Sequence, residues 1–314
     1  VTYQVLTNAE LPETLLNALD GKCTINCWSE SETDPNLLDK AEGFLVYGHP
    51  HIGGEIMDTM PNLRVISNFG VGVDHIDLVA ARERNIPVGN TPGLVDGVTA
   101  DLTFALLMAI ARNFLQGVRY AHGPDFTLYD PNILHGHEVY GSTLGIIGMG
   151  NIGRVVARRA SGFEMPTLYH NRKRNLEAEA ELGVTYATLP ELLQQADFVT
   201  LNVPLTPETR HIIGQEELQM MKPTAYLINV ARGGVVDHDA IVEALQVGEI
   251  AGYATDVTEP EPLPRDHPLL TMDNVIILPH LGSATVQTRL RMIQRMADNL
   301  MAGLQSKPLL NQAN

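Results

Sequence analysis

Residues 144–153 read LGIIGMGNIG. The apolar run Leu144–Ile147 has the length and branching of a buried strand, and Ile152, Val155, Val156 and Ala157 follow at helical spacing. Between the two lie Gly148, Gly150 and Gly153, so the chain is expected to turn sharply from strand into helix. Gly148 permits the tight turn, Gly150 lets the backbone approach a pyrophosphate, and Gly153 lets helix and strand pack closely. The helix N-terminus is then aimed at the anion. A second strand at Pro166–Tyr169 completes the unit, which reads as a dinucleotide-binding fingerprint.

Where that second strand ends, the chain reads His170-Asn171-Arg172-Lys173-Arg174. NAD enzymes place Asp or Glu here to accept hydrogen bonds from the ribose 2′-hydroxyl, whereas a 2′-phosphate requires cations and tolerates no nearby carboxylate. The segment offers three cations and no acid, immediately before an acidic helix at Glu177–Glu181. Cations ahead of a helix N-terminus face the positive end of its dipole, which is unfavourable without an anion to bind. NADPH is therefore expected ahead of NADH, with Arg172 as the main phosphate partner through its guanidinium fork and with His170, Asn171 and Lys173 beside it.

The whole chain sets bounds on this reading. Its 314 residues allow two domains with separate cores, and 44% hydrophobic with 18% charged residues is ordinary globular composition. A net charge of −16 argues against a nucleic-acid surface. No apolar run approaches the roughly eighteen residues that span a bilayer, and the first residues, VTYQVLTNAE, lack the pattern of a signal peptide. A cytoplasmic protein with no membrane partner is expected. Cys23 and Cys27 are the only cysteines, are read as buried reduced thiols, and have no partners at metal-ligand spacing; no metal site is expected.

Strand-like and helical segments alternate from the start: Tyr3–Leu6, Leu11–Leu19, Thr24–Trp28, Asn36–Lys40, Phe44–Tyr47 and Arg64–Ser67. This is already an α/β unit with a parallel sheet, yet the nucleotide fingerprint comes only at Gly148. The first unit is thus expected to serve substrate. Thr99–Tyr120 reads as one long helix, apolar almost all round over Leu102–Ala111 and therefore buried on several sides. Later strands at Phe198–Leu201, Ala225–Val230, Ala251–Thr255 and Val275–Leu278, with helices at Leu189–Gln195 and Ala240–Gln246, complete a second doubly wound sheet. A last helix, Ala284–Leu304, can return to the first domain, with chain crossings near Asn90–Thr99 and Pro279–Ser283 as a hinge. The expected division is 1–98 with 284–314 as substrate domain and 99–283 as a Rossmann dinucleotide domain inserted in it.

In open α/β sheets ligands bind beyond the carboxyl ends of strands. Three polar residues stand there: Arg232 after AYLINV, Glu261 within DVTEPEPL, and His280 after VIILP. They suit the reduction of a 2-oxo acid by hydride. Arg232 can hold the substrate's carboxylate and carbonyl oxygen in its fork. His280 can act as general acid as hydride arrives, and Glu261, bonded to the other imidazole nitrogen, would favour the protonated ring. Hydride itself is the cofactor's contribution.

These residues, with NFGVGVDHID (68–77), NTPGLVDGVTADL (90–102), NVPLTPETRHII (202–213), INVARGGVVD (228–237), ATDVTEPEPL (254–263) and PHLGSAT (279–285), carry a resemblance over nearly the whole chain. The sequence is similar to the D-isomer-specific 2-hydroxyacid dehydrogenases. The resemblance implies a flavodoxin-like substrate domain, Arg232, Glu261 and His280 as the catalytic trio, and backbone amides of Val71 and Gly72 on the substrate carboxylate. It further implies a cofactor lining of Asn151, Ile152, Val203, Pro204, Val230, Ala231 and Asp256, with Thr99 and Thr209 at its margin, and a homodimer.

Departures from the general pattern narrow the branch. The basic turn resembles NADPH-preferring glyoxylate, hydroxypyruvate and 2-ketogluconate reductases rather than lactate or phosphoglycerate enzymes. Asn314 ends the chain without the regulatory domain of many phosphoglycerate dehydrogenases. Glutamate at 261 argues against formate dehydrogenase, which resembles the family but uses an amide there. Residues 125–138, DFTLYDPNILHGHE, lack a tryptophan common in relatives, leaving Phe126 and Tyr129 as partner-subunit contacts. His51, in the loop after FLVY, is a candidate for a substrate hydroxyl. The expected function is NADPH-dependent reduction of a small 2-oxo acid to the D-2-hydroxy acid. A dinucleotide-sensing corepressor, or an NAD-linked dehydrogenase acting on 2-ketogluconate or D-lactate, stands as the alternative.

Overall fold

A computed structural model describes residues 2–314. The chain forms two compact units, one built from residues up to Val95 together with Ala284–Asn314, the other from Asp96–Ser283. The first joint falls ahead of the helix Asp96–Ala111; a boundary at Thr99 would cut that helix within its first turn.

The first unit carries β1 (Tyr3–Thr7), β2 (Cys23–Cys27), β3 (Gly43–Val46), β4 (Val65–Asn68) and β5 (Val88–Gly89). All pair in parallel, in the order β2-β1-β3-β4-β5, the flavodoxin-like doubly wound order. β3 and β4 are buried along their full length, as strands covered on both faces must be. One cover is the helix Val286–Leu304. It lies so close that a Cβ on Gly303 would sit 2.4 Å from Val65 and one on Gly43 2.8 Å from Leu300. Ser67 Oγ donates to the Met296 carbonyl at 2.8 Å, and Asn299 Nδ2 donates to the Asn90 carbonyl at 3.0 Å.

β2 is an edge strand, and this corrects the reading of the cysteines. Cys23 and Cys27 are both free thiols but half-buried, because an edge strand is covered incompletely. The burial that remains still pushes the Cys23 thiol up to about 11.

The second unit holds β6 (Leu144–Ile147), β7 (Thr167–His170), β8 (Thr185–Tyr186), β9 (Phe198–Leu201), β10 (Tyr226–Asn229), β11 (Gly252–Thr255) and β12 (Val275–Ile277). Their order is β12-β11-β10-β9-β6-β7-β8, again all parallel. Read from β6 outward, this is the Rossmann arrangement, with the strand order reversing between β6 and β9. Both sheets are therefore doubly wound, as the alternation of segments implied.

The single long helix expected over Thr99–Tyr120 is two helices, Asp96–Ala111 and Phe114–His122, bent by 61°. Asn113 takes left-handed backbone (φ 49°), which interrupts the helical hydrogen-bond ladder. The first of the pair buries Ala100, Phe104, Leu106, Leu107 and Ile110 in the core of its unit. No single helix among the described residues is long and apolar enough to cross a membrane.

Candidate active site

All seven strands of the second unit run parallel, so their carboxyl ends share one edge, and the polar residues singled out above leave from that edge. β6 passes directly into the glycine turn. Gly148 has φ +103°, and a Cβ there would strike the backbone of Asn202 at 2.7 Å. A Cβ on Gly153 would lie 2.1 Å from the Gly148 carbonyl oxygen. Gly150 differs, since a Cβ there would meet nothing within 4 Å. No packing within the protein demands glycine at 150; the open side is a cradle that a side chain would fill. Gly150 caps the helix Asn151–Ala160, whose first amides, including those of Asn151 and Ile152, lack intrahelical acceptors. These features fit a bound pyrophosphate.

The three glycines should respond differently to a methyl group. Gly153→Ala forces backbone apart and is expected to destabilise the unbound protein by about 1–3 kcal/mol or more. Gly150→Ala should leave the melting temperature of the unbound protein near wild type while weakening dinucleotide binding at least tenfold. Thermal melts and cofactor titrations separate the two; equal losses of stability would remove the argument for the cradle.

At the end of β7, the basic turn divides its labour. Arg174 makes a bidentate pair with Glu179 at 2.7 Å through both nitrogens. That guanidinium, with the Tyr169 hydroxyl, lowers the Glu179 carboxyl to about 2. Arg172 and Lys173 are exposed and form no ion pair among the described residues, although the Arg172 charge reaches Glu208 in the loop beyond β9. Asn171 Oδ1 accepts from the Met149 amide at 2.8 Å, bracing the glycine turn, and His170 Nδ1 lies 3.1 Å from the Ala187 carbonyl.

Val203 packs on the same turn, where a Cβ on Gly148 would approach it to 2.9 Å; Pro204 beside it is exposed. Thr209 is turned into its own loop, donating to the Pro204 carbonyl at 2.6 Å and accepting from the Thr206 amide at 2.8 Å. After β10, Val230 is buried and Ala231 half-buried. Arg232 then opens the short turn Gly233–Val235, with Nη1 2.9 Å from the Ala231 carbonyl. Asn229 holds this bend by donating to the Arg232 carbonyl at 2.9 Å and accepting from the Ala231 amide at 3.0 Å.

Asp256, after β11, is buried and accepts backbone amides from Leu281 at 2.5 Å and Gly282 at 2.6 Å. Burial pushes its carboxyl above the usual range against the pull of those two amides. Thr99 donates to the Gly282 carbonyl at 3.1 Å, so Asp256 and Thr99 together hold the loop that follows β12. His280 sits in that loop with left-handed backbone (φ 57°) and its amide 3.0 Å from the Asp256 carbonyl. Its Nδ1 is 2.7 Å from Glu261 Oε1, while Glu261 Oε2 accepts from the Thr258 amide at 3.2 Å. The structure thus joins His280 and Glu261 directly. In this geometry the carboxylate orients the ring through Nδ1.

In the first unit, residues 70–73 follow β4. The Gly70 carbonyl accepts from the Thr91 amide at 3.0 Å and Asn68 Nδ2 at 3.3 Å, Val71 from Asn90 Nδ2 at 2.9 Å, and Gly72 from Asn68 Nδ2 at 2.9 Å. In a trans peptide the N–H points opposite to its carbonyl. The amides of Val71, Gly72 and Val73 therefore point opposite to the carbonyls that these donors occupy. Asn68 is itself held by His75, whose Nε2 lies 3.0 Å from its Oδ1. Sequence reasoning named Val71 and Gly72 but missed Asn68 and Asn90, although both stand inside the quoted motifs. His51 is exposed in the loop beyond β3.

The D-isomer-specific 2-hydroxyacid dehydrogenase NAD binding domain matches residues 104–282. The chain belongs to that family. It is 43% identical over 306 residues to a glyoxylate reductase of Korarchaeum cryptofilum, covering 95% of this chain and 92% of the relative. It is 41% identical over 308 residues to a glyoxylate reductase of Pyrococcus furiosus, covering 95% and 91%. Among solved structures, an NADPH-dependent glyoxylate/hydroxypyruvate reductase from Sinorhizobium meliloti, in complex with NADP and malonate, superposes with a TM-score of 0.90 at 31% identity, covering 100% of this chain and 97% of that one. The family assignment makes the chain an oxidoreductase with an NAD(P)-binding domain.

Proposed function

We propose that this chain is an NADPH-dependent reductase of a small 2-oxo acid, glyoxylate or hydroxypyruvate, producing the D-2-hydroxy acid. The observation that carries the chemistry is the 2.7 Å contact between His280 Nδ1 and Glu261 on the edge from which Arg232 also leaves. A protonated imidazole can give its Nε2 proton to the oxygen of a carbonyl that is accepting hydride. Glu261 stabilises the charged ring before transfer. Arg232 binds carboxylate and carbonyl oxygen together, and the amides of Val71 and Gly72 take the carboxylate. The dinucleotide supplies the hydride when bound, its pyrophosphate at Gly150–Ile152 and its rings along Val203, Pro204, Val230, Ala231 and Asp256. Names of the glyoxylate reductases above support the substrate class.

The cofactor reading rests on Arg172 and Lys173, exposed at the end of β7 where no carboxylate stands to receive a 2′-hydroxyl. Arg172→Ala is expected to weaken NADPH by about 1.5–3 kcal/mol, the worth of charge-assisted hydrogen bonds, and to leave NADH almost unaffected. Titration of both cofactors decides it, since matching losses would place Arg172 outside the phosphate site. The enzyme reading is tested by NADPH oxidation with glyoxylate, hydroxypyruvate and 2-ketogluconate in parallel; absence of turnover on every 2-oxo acid would remove it. We also propose a homodimer, supported by Phe126 and Tyr129, which are 51% and 77% exposed in this single chain.

A further inference from the structure

The segment that carries Glu261 is held from one side by residues given no part in the reaction above. Glu259, two positions earlier, receives a bidentate pair from Arg210, with Nη1 at 2.7 Å from Oε2 and Nη2 at 3.0 Å from Oε1. Its backbone carbonyl accepts from His238 Nδ1 at 2.9 Å. Beneath it, Gly233 presses directly on the same backbone and Gly234 on the Glu259 carboxylate: a Cβ on Gly233 would lie 2.1 Å from the Thr258 carbonyl carbon, and one on Gly234 2.8 Å from Glu259 Oε2. Those glycines form the turn that Arg232 opens. The Glu259 backbone therefore touches the turn of one reacting side chain and leads into the segment of another.

We propose that Arg210 and Glu259, with His238, form a clamp that positions Glu261 against His280. The proposal rests on the reading of Glu261 and His280 given above. Glu261 must present Oε1 at hydrogen-bond distance from His280 Nδ1, and its segment has few means of keeping that distance. Within the segment, Thr258 Oγ1 donates to the Pro260 carbonyl at 2.9 Å, and the buried Leu263 anchors the far end. Besides Glu261 itself, Glu259 is the side chain of residues 258–263 seen to form an ion pair with another loop, and its partner Arg210 is fixed in turn because the adjacent His211 amide donates to the Gly234 carbonyl at 2.9 Å. An exposed ion pair contributes little to stability; its value here is geometric, since a guanidinium fork fixes both distance and angle. His238 is suited to its part because burial holds it below the ordinary histidine range, among Asp237, Glu259 and His267. The neutral ring keeps a proton on Nδ1 for the Glu259 carbonyl.

Loosening the clamp should act on proton delivery and spare binding. In Arg210→Ala and Glu259→Gln, kcat with glyoxylate and NADPH is expected to fall about tenfold, with KM for both within about twofold, by loss of orientation. The dependence of kcat on pH should differ from wild type in both variants, because the Glu261 carboxylate no longer faces His280 Nδ1 in one fixed geometry. Arg210→Lys, which keeps the charge and loses the fork, should fall between. The double variant should be no slower than the worse single one, as expected of one coupled unit. Wild-type pH profiles in both single variants, whatever their kcat, would overturn the clamp. His280 imidazole titration by NMR in the same proteins reads the effect without turnover: a shift in the variants supports the clamp even if wild type reduces none of the 2-oxo acids, a result that would instead count against the proposed activity. Glu259→Gln preserves shape, so the test survives if Arg210→Ala fails to fold.

Discussion

His280→Asn should lower kcat for glyoxylate reduction by about 10²–10⁴-fold, the range expected when a positioned general acid is removed. Asparagine can still donate a hydrogen bond to the substrate oxygen but has no proton to surrender. Binding of NADPH should change little, because the substitution leaves alone the residues proposed to hold the dinucleotide, in the glycine turn and after β7 and β9. The loop itself should keep its shape, since the Asp256 carboxylate ties the amides of Leu281 and Gly282 rather than the imidazole. Left-handed backbone at 280 is also tolerated by asparagine better than by most residues. Stopped-flow reduction at saturating substrate would measure the loss. A kcat within a few-fold of wild type would mean that another group supplies the proton.

Arg232→Lys is the second large effect, and it separates geometry from charge. Lysine preserves the positive charge but replaces a planar fork by a single rotatable ammonium. A fork can fix carboxylate and carbonyl oxygen in one plane, and misplacing a reacting carbonyl by about 1 Å can cost roughly 10²-fold. We expect kcat/KM for glyoxylate to fall about 10²-fold or more, with both kcat and KM affected. Arg232 leads into Gly233, which packs on Thr258, so its backbone is held independently of its side chain and the lysine variant should fold normally. Unchanged kinetics would assign Arg232 to structure alone.

How much of this was legible before folding depended on the range of the interaction. The glycine turn could be read because strand, turn and helix are neighbours in sequence and each glycine answers a local demand. The residues proposed to react stood out because each follows a recognisable strand of a parallel sheet. β5 and β8, two residues each, carry too little pattern to register as strands. The break at Asn113 was hidden because the apolar run continues through Phe114 and Leu115 on its far side. Arg172 could be singled out within the basic turn, but only the side-chain geometry showed that Arg174 is committed to Glu179. Asn68, Asn90, Arg210 and Glu259 escaped for another reason: each acts through partners that only the folded loops bring together, and no spacing in the chain announces such a pair.

The way the final helix completes the first sheet also bears on synthesis. Val286–Leu304 covers β3 and β4 and supplies the partners of Ser67 and the Asn90 carbonyl, yet it leaves the ribosome only after all of Asp96–Ser283. Residues up to Val95 emerge before it and must wait, with Val65 and Gly43 lacking their cover, while Asp96–Ser283 is translated. That inserted stretch is continuous and contains its whole sheet, so it can close its core first. The first unit is thus completed only after the inserted one has been made, and until then its strands β3 and β4 are open to aggregation or capture by chaperones.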